Sequence, residues 1–112
     1  MKIAIPLAAG RLAMHFGHCE QFAFFDVDEK DTDPGSPTLA EPPGYEPGVL
    51  PRWLKENGVN LIIAGAIGQR AQQFFEQFGM SVLVGAPTAE PAEIVAAYLS
   101  GDLQTGQNIC DH

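Results

Sequence analysis

Two short apolar runs, VNLIIA at residues 59–64 and SVLVG at 81–85, limit the choice of fold more than anything else in this chain. Each is continuous rather than alternating, the pattern of a strand covered on both faces. Helix-spaced segments surround them. Val49 to Asn57 carry Leu50, Trp53 and Leu54 on one face and stop at Gly58; Gln69 to Phe78 place Ala71, Phe74, Phe75 and Phe78 at core spacing and stop at Gly79. Pro91 suits the first turn of a last helix, with Ile94, Val95, Tyr98 and Leu99 facing inward and Gly101 ending it. Helix and strand in alternation imply right-handed crossovers between parallel strands, hence a sheet with helices on its faces.

The first half reads differently. KIAIPL at 2–7 is a strand whose Pro6 marks an end or an edge. Residues 8–20 are loop-like. FAFFDVD at 22–28 is a second strand, with Phe22, Phe24, Asp26 and Asp28 on one face and Ala23, Phe25 and Val27 on the other. Residues 29–48 hold five of the nine prolines, so an extended loop is expected there, with a brief edge strand near Pro37 to Ala40. This half predicts antiparallel strands around a loop. With 112 residues, of which 46% are hydrophobic, the chain suits one compact domain with its own core. The expected fold class is therefore α/β: a single domain, 1–112, with a mixed five-stranded sheet flanked by helices. Residues from about 102 to 112 show no periodicity and are expected to form a flexible tail.

Charge narrows the partners. A formal net charge of −8 opposes nucleic acid and anionic membranes, since phosphate binding needs a basic face. No apolar run nears the roughly 20 residues that span a bilayer, and the N-terminus has too short an apolar stretch for a signal peptide. A cytoplasmic protein is expected, in which a Cys19–Cys110 disulfide is not the default.

The chain's three histidines and two cysteines fall in two short segments. One is H-x-x-H-C, formed by His15, His18 and Cys19. The other is C-x-H at the C-terminus, Cys110 and His112. Thiolate and imidazole together suit soft and borderline metals, Zn, Cu or an iron–sulfur species. The tail could fold back over the first segment. A plainer reading stays open, because such spacings also arise by chance. In the strand–turn–helix AGAIGQRA, the backbone of Gly65, Ala66, Ile67 and Gly68 offers a close approach and helix-start N–H groups to an anion. The alternative there is glycine needed for packing. The stiff loop EPPGYEPG at 41–48 would present Tyr45 and Glu46 to a site, or serve as a connector. Asp26 and Asp28 would suit a two-metal nuclease only with more converging carboxylates and a cationic path; a hydrolase is the least favoured function.

These stretches, taken in order, resemble the dinitrogenase iron–molybdenum cofactor biosynthesis family, the NifX-like domains. The likeness rests on KIAIP, GRLAMHFGHCEQFAFFDVD, PPGYEPGVLPRWL, GVNLIIAGAIGQRAQQFF and LSGDLQTGQNICDH. It implies a ribonuclease H-like topology without nuclease activity. It also implies a small non-enzymatic protein that binds, carries or protects a metal ion, or an iron–sulfur or molybdenum-containing cluster precursor, and meets the proteins that donate and accept it. Family members often carry a histidine in a P-P-H-x-P-G pattern, where this chain has Tyr45 and one extra residue. A metal-independent regulatory or interaction module on the same fold is the alternative expectation.

Overall fold

The computed structural model describes residues 1–16, 19–28, 30, 33–43 and 49–103. Among them the chain forms β1 (Lys2–Ala8), β2 (Arg11–Leu12), β3 (Gln21–Asp26), β4 (Thr38–Ala40), α1 (Val49–Glu56), β5 (Leu61–Ile63), α2 (Gln69–Gln77), β6 (Ser81–Leu83) and α3 (Pro91–Ser100). The strands make one mixed sheet in the order β4-β3-β1-β5-β6, with β2 paired to β1. The sheet thus has six strands where five were expected. The additional one is the two-residue β2, which returns antiparallel on β1 after the turn at Ala9 and Gly10. A strand of that length leaves no alternation to read. The parallel pairs are β1 with β5 and β5 with β6; β3 runs antiparallel to β1, and β4 to β3.

Both faces of the sheet are covered, and alternation decides which side chain goes where. Ala4, Phe22, Phe24 and Ile62 join a core with Leu50 and Leu54 of α1 and Phe75 of α2. Ile3, Ile5, Leu7, Ala23, Phe25, Val27, Leu61 and Ile63 join a second core with Ile94 and Val95 of α3. The division of β3 is the one expected from sequence. Its first face is aromatic: the Phe22 ring lies 6.5 Å from Phe24 and 5.7 Å from Trp53, centre to centre. Ala4, in register with Phe24, leaves these rings room.

Three local expectations change. Pro6 lies inside β1, where its carbonyl accepts the Ala13 N–H at 2.8 Å on the edge from which β5 has departed. Strand β6 lies at the sheet edge with Ser81 exposed; Val82 packs against the first core and Leu83 against the second, but both are only half-buried where a buried strand was expected. On α2 only Phe75 is fully buried; Ala71, Phe74 and Phe78 are half-buried. The helix stops fall as expected, with Gly58, Gly79 and Gly101 at φ of 80–81°. No helix among the described residues is long and apolar enough to cross a membrane.

Candidate metallocofactor site

Beyond Ala4 and Ile62 the ladder between β1 and β5 ends, and residues 11–16 fill the gap. Backbone bonds hold this segment on three sides. Ala13 bonds to β1 through Pro6. Leu12 donates its N–H to the Ala89 carbonyl at 3.0 Å, in the connection that leads to α3. The segment then runs parallel to the chain leaving β5, and His15 forms a bridge with Ala66. In that bridge Ala66 donates to the Met14 carbonyl at 2.7 Å, and Phe16 donates to the Ala66 carbonyl at 2.8 Å. The two stretches singled out by sequence, fifty positions apart, therefore share one hydrogen-bonded junction.

Gly65 permits that junction. A Cβ there would lie 2.8 Å from the Met14 carbonyl oxygen and 3.1 Å from that of Ala13, closer than real contacts allow. The close approach at Gly65 is thus to the chain's own backbone. Nothing lies within 4 Å of a Cβ built on Gly68, which precedes α2 and forms no side-chain cap. Ile67 is wholly buried, backbone included, and its carbonyl accepts the Gln72 side-chain N–H at 3.4 Å.

The loop after β6 closes the other side. Gly85 donates to the Gly65 carbonyl at 2.7 Å and Ala86 to the Ala64 carbonyl at 3.1 Å. Between these strand ends lies a cavity of about 340 Å³, lined by Met14, Gly65, Ala66, Gly85, Ala86, Pro87 and Thr88. It sits at the carboxyl ends of parallel strands, where open α/β sheets commonly take ligands. Sequence reasoning missed Met14 and residues 85–88. The available signal was that loops following adjacent parallel strands emerge side by side.

His15 is half-buried beside this junction. Cys19 is only 4% exposed and belongs to the buried cluster that holds Phe16 and Phe22; its N–H donates to the Phe16 carbonyl at 3.2 Å. Glu20 fastens the end of the segment, accepting the Ala9 N–H on Oε1 at 2.8 Å and donating its own N–H to the Leu7 carbonyl at 2.7 Å. His18, Tyr45, Cys110 and His112 lie outside the described residues. Among the described residues no three His, Cys, Asp or Glu side chains converge where a metal ion would sit. Asp26 is exposed at the end of β3, and the Asp28 carboxylate accepts the Lys30 N–H at 3.5 Å.

Residues 1–101 match the model of the family described as dinitrogenase iron-molybdenum cofactor. The chain belongs to that family. It is 33% identical over 107 residues to an uncharacterized protein of Methanocaldococcus jannaschii, a match covering 93% of this chain and 90% of that one. The crystal structure of PH0822 superposes with a TM-score of 0.83 at 28% identity, over 96% of this chain and 98% of that chain. The apo form of the orange protein from Desulfovibrio gigas shares the fold, with a TM-score of 0.65 at 18% identity over 96% and 93% of the two chains. The family match ends before Cys110 and His112. Membership ties the chain to metallocofactor biosynthesis.

Proposed function

We propose that this protein is a small non-enzymatic carrier that binds a metal ion, or an iron–sulfur or molybdenum-containing cluster precursor, during cofactor assembly in the cytoplasm. The observation that carries the reading is the His15–Ala66 bridge. It seats the donor-rich segment against the turn 65–68 and beside a cavity of useful size. His15 and His18 are the proposed imidazole donors, joined by Cys110 and His112. Cys19 joins them only if the segment lifts from the aromatic core; otherwise it anchors that segment. The backbone of Gly65 to Gly68 and the phenol of Tyr45 are assigned to the remaining surface of the cargo. Donor and acceptor proteins of the same cargo are the expected partners. The strand order, with β2 set aside, also supports a ribonuclease H-like reading of the topology.

The test is anaerobic reconstitution with ferrous iron, sulfide and molybdate, followed by metal analysis and absorbance. Wild type should retain metal, and a His15→Ala/His18→Ala variant should retain far less. Equal retention would defeat the reading.

The groove between α1 and α2, about 640 Å³, favours the alternative of a metal-independent interaction module, since Trp53, Phe74 and Phe78 line it. On that reading metal-free protein should hold a partner as firmly as loaded protein.

A further inference from the structure

The three methionines occupy three environments. Met80 is buried at 2% exposure. Met1 is 40% exposed at the chain start, where its amino group donates to the Val27 carbonyl at 2.8 Å. Met14 is the most exposed at 55%, and it alone lines the cavity between the ends of β5 and β6. Its side chain is free to meet solvent, yet its backbone is held. The carbonyl accepts the Ala66 N–H at 2.7 Å and lies over Gly65 with no room for a Cβ. Apart from Pro87 and Thr88, the other cavity residues are glycine or alanine, so Met14 is the long side chain at the mouth.

We propose that Met14 is an oxidation site that gates this cavity. The proposal rests on the cavity serving as the cargo seat. Hydrogen peroxide transfers one oxygen to the thioether: an S–O bond forms, the O–O bond breaks, sulfur is oxidised to the sulfoxide, and the peroxide leaves as water. The product is bulkier, polar and hard, where the thioether was apolar and polarizable. The pinned backbone prevents the segment from carrying the modified side chain away. Cargo entry is thereby reduced under peroxide and restored by methionine sulfoxide reductase, which returns the thioether.

The experiment uses the full metal-free chain. It is treated with hydrogen peroxide, cleared with catalase and reduced with dithiothreitol, which repairs sulfenic acids and disulfides but not sulfoxides. Ferrous iron, sulfide and molybdate are then added anaerobically and bound iron is measured. Peptide mass mapping should show Met14 oxidised ahead of Met1, with Met80 last. Treated wild type should load on the order of tenfold less iron than untreated, and reductase treatment should restore it. In Met14→Leu, peroxide should leave loading at that variant's own untreated level. Oxidation of Met14 no faster than of Met1, unchanged loading of treated wild type, or failure of the reductase to restore loading would each overturn the gate and leave the carrier reading standing. Untreated wild type that takes up no iron overturns both.

Discussion

A Cβ on Gly65 would stand 2.8 Å from the carbonyl oxygen of Met14. The chain after β5 and the segment after β2 meet backbone to backbone, and any side chain at 65 must push them apart. Gly65→Ala should therefore lower stability by about 2 kcal/mol, within the range for overpacked sites, and should also weaken iron retention. Gly68→Ala, with open space around the new Cβ, should stay within about 1 kcal/mol of wild type. Urea denaturation of both variants is the check, and equal losses would show that the junction tolerates separation.

Ala9 sits at φ 53°, in the left-handed region that disfavours a Cβ. It forms the tip between β1 and β2, and its N–H is held by Glu20. Ala9→Gly should relieve the strain and raise stability by about 0.5–1 kcal/mol after the entropy of the more flexible unfolded chain is counted. Glu20→Ala should lose the anchor and speed hydrogen exchange at the Ala9 amide. A slower-exchanging Ala9 amide in that variant would contradict the role given to the carboxylate.

The rings of Phe16 and Phe75 meet edge to face, 5.4 Å between centres. This contact joins α2 to the segment that carries His15. Phe75→Ala should cost about 3–5 kcal/mol, as for other fully buried aromatics. Milder Phe16→Leu and Phe75→Leu changes, combined in a double-mutant cycle, should reveal a coupling of about 0.5–1.5 kcal/mol. Additive losses would mean that the two rings merely share a core.

Cys19 is buried in the native chain. A thiol reagent should modify it far more slowly under native conditions than in urea, with the Cys19 peptide followed by mass. Rapid native modification of Cys19 would show that the segment opens readily. It would then return that thiol to the donor set.

Much of the fold was legible because alternation reports faces. Phe22 and Phe24 went to one core, and Ala23, Phe25 and Val27 to the other, as a two-residue period requires. What stayed hidden depended on position in the sheet rather than on local pattern. The run at 81–85 is apolar enough for a central strand, yet β6 has a neighbour on one side only and Ser81 meets solvent. Pro6 reads as an end because it cannot donate, and here the edge it faces belongs to a returning segment instead of to β5. At the site, His15 and Gly65 drew notice from their own chemistry. Met14 and Thr88 did not, because a methionine and a threonine signify little until folding sets them around one cavity.

The bond from Leu12 to Ala89 has a consequence for the order of biosynthesis. Residues 12–16 emerge early during translation, but a wall that fastens them arrives only with the stretch past β6. A nascent chain ending before residue 89 holds its first histidine without the pocket beside it. Domains complete their folding as units, so the pocket and the histidine beside it come into being together, late in synthesis.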